Sequence, residues 1–447
     1  MLVTRMWAQQ ICRMRGIWDA ARGPFARSVA LVAIGTAASQ LIAMLFMPIV
    51  TRVYGPDAVG AANVFSSISS IVAPVAALGY PVALVLPSRE SDGLRIARLS
   101  IAIGGVTSLI ALAAVIAVNR QLVHLLHIEE IASFTYLIPV SMFLTALMSV
   151  IDQWTIRRAY FGIKARVATM QSFLLNGSKV ALGLVNPTAA VLVVLTAFGP
   201  LLQALMVAIR LPRREAKRII GPVRSRDFRL AREYSNFPFY RAPEQLLNGL
   251  SQGLPVLMLS SFFGPSSAGY YGLAVTTLGL PVTLIGNAMG DVFFSQAAKV
   301  TREGGRIRPL LSKATFALLG ASIVPFGLLI VLGPFLFGLV FGANWTMSGA
   351  YAAWLAPWYM FVLANRPSLM SLQVMAKQRL FLGYTITSTV IRAAVLFGSY
   401  DVWRSSNVSI IFFGTAGAVL NIALIVTTSI LARQHDLRRS RLNGQIH

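Results

Sequence analysis

Apolar runs of about 20 residues, separated by short polar loops, recur along the whole chain. A helix rises 1.5 Å per residue, so each run can cross a hydrocarbon core of about 30 Å with its backbone hydrogen bonds satisfied internally. The pattern predicts an all-α integral membrane protein with about twelve spans. The spans are expected at residues 28–50, 61–86, 99–118, 132–151, 167–186, 189–209, 242–262, 271–296, 314–333, 350–372, 380–400 and 408–431.

Composition agrees with a lipid-solvated bundle, because only 12% of the 447 residues are charged, against about 25% in soluble proteins. In a soluble chain the net charge of +24 would suggest a nucleic-acid partner. Here 33 of the 39 Lys and Arg residues lie in the chain ends and in the loops on one side, whereas the opposite loops carry only Arg52, Arg120 and Arg404. The positive-inside rule places both termini in the cytoplasm. The positive charge is then explained as a topology signal, and no nucleic-acid partner is expected.

The first apolar run, at 28–50, follows a basic segment as a secretory signal would. It is longer than the roughly 7 to 15 residues of a signal core, which predicts an uncleaved first span. Before it, Trp7, Ile11, Met14 and Trp18 recur at helical spacing among arginines. This pattern fits a helix on the membrane surface, with a disordered tail as the alternative.

Two segments of the chain recur at similar offsets. Residues 54–60 (YGPDAVG) resemble 263–269 (FGPSSAG) 209 residues later, and residues 164–179 resemble 377–392 with an offset of 213. We therefore expect two six-helix lobes related by a pseudo-twofold axis along the membrane normal. The predicted organisation is a basic tail or interfacial helix at 1–27, an N-lobe at 28–209, a basic cytoplasmic linker at 210–241, a C-lobe at 242–431 and a cytoplasmic tail at 432–447.

Three basic residues, Lys179, Arg366 and Arg392, fall inside predicted spans. A charge at that depth costs about 2.5 to 3.5 kcal/mol on insertion scales, so it usually faces a cavity or a partner. Lys179 shares a helical face with Asn176, and Arg392 shares one with Thr389, which predicts polar stripes that bind substrate. Snorkelling toward the interface is the alternative for these two cations, and Arg366 could instead satisfy carbonyls freed by the proline that follows it.

The seventh span carries the most polar stripe, formed by Glu244, Asn248, Ser251 and Gln252, and its first-half counterpart includes Gln40. Such a stripe in lipid would be prohibitive, so it is expected to line water or protein as part of a substrate site. Glu244 is a coupling-ion candidate, or it pairs with the arginine one turn before it. Asp291 in span eight is a second, weaker coupling-ion candidate.

Other signals predict no catalytic site. No Walker-type glycine loop, nucleophile elbow or zinc-helix motif occurs, and a lone pair such as His124 and His127 is usually surface rather than a metal site. The expectation is a protein that is not an enzyme and has no cofactor or metal, so uphill transport would need either an ion gradient, of protons or sodium, or a downstream sink for the product. Trp345, Trp354 and Trp358 near span ends are expected to be interfacial anchors.

Residues 51–56 (TRVYGP) through Gly60, followed by 65–70 (FSSISS) and 84–87 (LVLP), resemble the amino-terminal signature of the polysaccharide transporter family. These Wzx-type flippases belong to the superfamily that also holds multidrug and toxin extrusion transporters and lipid II flippases, so the resemblance implies that fold. The chain departs from many relatives at Gly79-Tyr80-Pro81, where they carry an arginine and an acid around the tyrosine.

The resemblance implies translocation of undecaprenyl-diphosphate-linked oligosaccharide repeat units across the bacterial inner membrane, from the cytoplasmic to the periplasmic leaflet. The products would be surface polysaccharides such as O-antigen, exopolysaccharide or capsule. The implied partners are the lipid-linked oligosaccharide, membrane lipids, and a polysaccharide polymerase with its chain-length regulator.

Three other functions stay open at this stage. An ion-coupled multidrug exporter shares the fold, although spans one and two lack the acidic residues favoured for cationic drugs. A lipid II flippase usually has fourteen spans. A non-transporting scaffold or polymerase partner would need no paired buried cations.

Overall fold

The computed structural model describes residues 24–219, 221, 227–303, 305–375 and 377–444, and within them every regular element is helical. The surface helix predicted around Trp7 and Trp18 lies outside the described residues. In chain order the helices are α1 (Pro24–Val53), α2 (Pro56–Val72), α3 (Tyr80–Ala83), α4 (Glu90–Leu126), α5 (Leu137–Arg157), α6 (Phe161–Val185), α7 (Ala189–Arg210), α8 (Arg213–Ile219), α9 (Asp227–Glu233), α10 (Ala242–Phe263), α11 (Pro265–Arg302), α12 (Ile307–Phe341), α13 (Thr346–Ala364), α14 (Arg366–Val374), α15 (Gln378–Trp403) and α16 (Ser406–Gly444).

Ten helices of the described chain are long and apolar enough to cross a membrane, which confirms the membrane prediction. Helices α6 and α13 are not among the ten, although they coincide with the predicted spans 167–186 and 350–372. Helix α6 carries Lys164, Arg166 and Lys179, and α13 is rich in aromatic residues. The helices are consistent with twelve spans without fixing that number.

Two predicted spans are broken rather than continuous. The span predicted at 61–86 ends as an α-helix at Val72, and the chain then turns at Gly79, whose φ of 75° is left-handed, before α3 begins. The span predicted at 350–372 is interrupted at Asn365, two residues before a proline that cannot donate a backbone hydrogen bond. Neighbouring helices make such breaks tolerable inside a membrane protein, so length and hydrophobicity alone did not locate them.

The repeated segments pack directly against each other. A Cβ added to Gly60 would lie 1.8 Å from the carbonyl oxygen of Pro265, and one added to Gly269 would lie 2.3 Å from the carbonyl oxygen of Pro56. Equivalent positions of the two repeats thus meet reciprocally, as a twofold relation requires. The predicted two-lobe, pseudo-twofold architecture is confirmed in this contact, where α2 of the N-lobe crosses α11 of the C-lobe.

Hydrogen bonds join the lobes at the same end of the molecule. The Trp345 indole donates to the carbonyl oxygen of Thr51 at 2.7 Å, and the Thr51 hydroxyl donates to that of Phe341 at 3.1 Å. On the other flank the Ser260 hydroxyl donates to the carbonyl oxygen of Leu126 at 2.6 Å. We call this end the sealed face, and the end with the arginine-rich loops the basic face.

At the basic face the linker between the lobes is attached to the N-lobe. The Trp154 indole of α5 donates to Glu215 of α8 at 3.0 Å, and Arg158 bridges Glu215 and Glu90 at 3.4 and 2.9 Å. Ile219 of α8 is buried in the same apolar cluster as Trp154. The first part of the linker is therefore structurally part of the N-lobe.

Candidate functional site

Arg392 of α15 lies inside the C-lobe and is held by neutral groups. Its Nη2 donates to the Ser251 hydroxyl of α10 at 3.2 Å, and its Nε donates to the carbonyl oxygen of Ser388 at 3.2 Å. The Thr389 hydroxyl donates to Ser251 Oγ at 2.8 Å. The fold thus brings together three of the predicted site residues, Ser251, Thr389 and Arg392, from two helices that are distant in sequence.

Two aromatic rings complete the surroundings of this guanidinium. Its Cζ lies 5.0 Å from the ring centroid of Trp358 and 5.7 Å from that of Phe413, and the two rings are nearly perpendicular. Both distances are within the range of cation–π attraction. Among the described side chains no carboxylate forms an ion pair with Arg392. The adjoining cavity, of about 10 Å³, has room for one water at most.

The anchor prediction fails for two of the three tryptophans. Trp358 is 8% exposed and packs on Arg392, and Trp345 is 1% exposed and bonds across the sealed face. Trp354 is 49% exposed, as an anchor would be. The Trp358 indole packs directly on Gly417 of α16, where a Cβ would lie 2.7 Å from the ring. That glycine inside a predicted span was the sequence feature that could have indicated such close packing.

The stripe that contains Lys179 faces α1 along part of its length. The Ser172 hydroxyl donates to the carbonyl oxygen of Ser39 at 2.7 Å, and the Asn176 amide donates to the carbonyl oxygen of Ser172 at 2.8 Å. The carbonyl oxygen of Lys179 accepts a bond of 2.8 Å from the Tyr54 hydroxyl. The Lys179 ammonium forms no ion pair with any described carboxylate.

Arg366 begins α14 directly after the helix break. It packs on α11, where a Cβ on Gly286 would lie 3.0 Å from its Nε. The preceding Asn365 is buried, and its amide donates to Asn421 Oδ1 of α16 at 2.9 Å. The break is therefore stabilised by one side-chain hydrogen bond to α16 and by packing of the Arg366 side chain on α11.

The other predicted residues of span seven and its counterpart are dispersed. Gln252 donates to Asn248 Oδ1 at 3.1 Å on an exposed face of α10. Gln40 Oε1 accepts a bond of 3.3 Å from Thr283, and this is the hydrogen bond that links α1 to α11 in the described chain. Glu244 forms an exposed ion pair with Arg241 at 2.9 Å, the local pairing left open by the sequence.

The remaining candidates add no further site. The side chain of Asp291 lies outside the described residues. No group of three or more His, Cys, Asp or Glu side chains suited to a metal occurs in the described part of the chain. No contact joins Lys179, Arg366 and Arg392 to one another in that part, so a cavity shared by all three stays a prediction.

Comparison with known proteins identifies the family. Residues 34–349, most of the chain, match the family described as polysaccharide biosynthesis protein. The chain belongs to this family. The search of individual curated protein sequences gave no match to the chain.

Solved structures share the fold of this polysaccharide biosynthesis protein. An inward-facing multidrug resistance transporter of the MATE family superposes with a TM-score of 0.70 at 14% identity, covering 92% of this chain and 99% of that chain. The lipid II flippase MurJ in an inward closed conformation gives 0.70 at 11% identity, with 91% of each chain covered. An outward-facing MATE transporter gives 0.53 at 14% identity, covering 94% of this chain and 97% of that chain.

Proposed function

We propose that this polysaccharide biosynthesis protein flips undecaprenyl-diphosphate-linked oligosaccharide repeat units from the cytoplasmic to the periplasmic leaflet of the bacterial inner membrane. The family and the transporter fold support a membrane flippase. The lipid carrier, the repeat unit and the direction belong to the proposal. The basic face is then cytoplasmic and the sealed face periplasmic, in line with the positive-inside rule.

The observation that carries the proposal is the environment of Arg392. Hydroxyl, carbonyl and aromatic groups hold the guanidinium, and among the described side chains no carboxylate neutralises it. Its charge is therefore not neutralised within the described fold, and a guanidinium can bind diphosphate or carboxylate oxygens in a bidentate manner once the cavity of about 10 Å³ beside it widens during the proposed cycle. A site for cationic drugs would need the opposite charge. An acidic sugar or the diphosphate of a lipid-linked oligosaccharide fits better.

The proposed transport cycle is alternating access. In the conformation described here the backbone crossing at Gly60 and Gly269 and the Trp345 bond close the sealed face. Toward the basic face, α1 and α11 are linked by the bond between Gln40 and Thr283. A head group would enter between these two helices with its lipid tail left in the bilayer. Rocking of the lobes would then break the sealed contacts and release the sugar on that side.

The test is the replacement of Arg392 in cells that depend on this protein for surface polysaccharide. Arg392→Gln removes the charge and should lower transfer of repeat units by at least tenfold, while protein levels in the membrane stay normal. Arg392→Lys should keep part of the activity if charge dominates, and little of it if bidentate geometry dominates. The matched control is Arg302→Gln, an exposed arginine of α11 at the basic face. Full transfer by Arg392→Gln would show that the substrate is recognised elsewhere.

A further inference from the structure

Two arginines on the outer surface of the N-lobe, near the basic face, have no acidic partner. Arg166 of α6 and Arg210 at the end of α7 are exposed, and neither forms an ion pair with a described carboxylate. Lys164, only two residues from Arg166, is by contrast paired with Asp152 at 2.8 Å. The positive charges of Arg166 and Arg210 are therefore not neutralised by any described carboxylate.

Both arginines are neighbours of Met170, Arg210 by a direct contact and Arg166 by helical spacing. Arg210 Nη2 lies 3.6 Å from the sulfur of Met170, which joins the end of α7 to α6. Met170 follows Arg166 by four residues, so both occupy the same helical face, and side chains on a helix lean toward its N-terminus. The Met170 side chain is therefore expected to lie over the turn that carries Arg166. Because its sulfur contacts Arg210, that guanidinium lies near the same helical turn.

Below this pair α6 and α7 expose large apolar side chains, and we call the surface that they form the cleft. On α6, Met170 and Phe173 are 47% and 57% exposed, and on α7, Leu205 and Ile209 are 52% and 82% exposed. The Gln171 amide donates to the carbonyl oxygen of Gly199 at 3.2 Å, so a side-chain bond holds the two helices together. The surface thus has two arginines at the end near the basic face and exposed apolar side chains along the rest of it.

We propose that this cleft binds an anionic glycerophospholipid of the leaflet at the basic face. The phosphate lies between Arg166 and Arg210, and an acyl chain runs along Met170 and Ile209. Guanidinium groups bind phosphate oxygens with charge-assisted hydrogen bonds, and basic pockets between membrane helices select anionic head groups. A zwitterionic lipid offers the same phosphate with a compensating cation, so it binds more weakly.

The position of the cleft favours a phospholipid over the transported lipid. Helix α6 packs on α1, α5 and α7, and α7 packs on α2, α5 and α6, so the cleft belongs to the N-lobe alone. A flipped substrate has to reach the space between the lobes, whereas a resident phospholipid does not. The proposal is independent of the flippase activity, because binding can be measured without transport.

The experiment uses the purified full chain in a neutral detergent. Bound lipid is counted by native mass spectrometry during titration with dioleoyl-phosphatidylglycerol or dioleoyl-phosphatidylcholine. The double variant Arg166→Gln/Arg210→Gln is compared with Arg302→Gln/Arg379→Gln, which removes two exposed arginines from the C-lobe at the same cost in net charge. We expect phosphatidylglycerol to bind wild type and the control equally, and the Arg166/Arg210 variant about thirtyfold more weakly.

Three results would overturn the proposal. Equal phosphatidylglycerol binding by the two double variants would show attraction to net charge alone. Equal binding of phosphatidylcholine and phosphatidylglycerol by wild type would remove the role of the head-group charge. Displacement by undecaprenyl phosphate at lower concentration than by phosphatidylglycerol would make the cleft a substrate site. Should the Gln variant fold poorly, Arg166→Lys/Arg210→Lys retains the charge, and the proposal requires it to keep the preference for phosphatidylglycerol.

Discussion

Replacing Gly60 by alanine should open the sealed face. The added Cβ would lie 1.8 Å from the carbonyl oxygen of Pro265, whereas ordinary contact begins near 3.4 Å. The obstacle is backbone, so no side-chain rotation relieves it, and the two helices have to separate. Overpacking of this kind costs about 1 to 3 kcal/mol. In the proposed transport cycle the contact exists only while the face is closed, so the cost falls on that conformation and shifts the equilibrium toward the open one by about 5- to 150-fold.

The separation of the lobes can be measured with paired spin labels. After Cys12→Ser, labels at Arg120 of the N-lobe and Arg404 of the C-lobe report the width of the sealed face. Both residues are exposed and lie at the sealed ends of α4 and α15. In Gly60→Ala the distribution should move to longer distances. Gly55→Ala is the matched control, because a Cβ at Gly55 meets no atom within 4 Å. An unchanged distribution in a well-folded Gly60→Ala protein would refute the steric argument.

Two further predictions concern topology and the linker. Reporter fusions after Gly60 and after Gly269 should both report the side opposite to the termini, and a signal from the side of the termini at either position would contradict the span assignment. Glu215→Gln removes the charge that Arg158 and the Trp154 indole share, so amide hydrogen exchange in α8 should accelerate by roughly tenfold. Glu303→Gln, which breaks an exposed ion pair with Lys299, should leave that exchange unchanged.

The sequence predicts the membrane class and the duplication because both depend on patterns along the chain. Length and hydrophobicity decide whether a run crosses lipid, and the repeated Gly-Pro turns lead to the contact between Gly60 and Gly269. The break at Gly79 was missed, since proline and glycine are common inside membrane helices and neighbouring helices decide whether they interrupt one. The break at Asn365 was indicated by the proline that follows Arg366, which frees carbonyls and tends to kink a helix.

The candidate site was predicted only in part. Ser251, Thr389 and Arg392 were each selected for their polarity inside a span, and the fold brings them together. The contact of Arg392 with Trp358 could not be read from either helix alone, because it depends on how α13 and α15 are placed in the lobe. Gln40 and Asn248 do not join this site for the same reason. Helical spacing shows which residues share a face, but it does not show which helix packs against that face.

The crossing of α2 and α11 also constrains how the two halves of the chain can evolve. Because backbone atoms make the closest approach, a change of side chain elsewhere in the two repeats leaves this steric constraint in place. The two glycines are different, since each lies against the other repeat, and a larger residue in one copy cannot be offset by a smaller one in its partner. The constraint therefore falls on Gly60 and Gly269 as a pair, since a side chain at either position would meet the backbone of the other repeat.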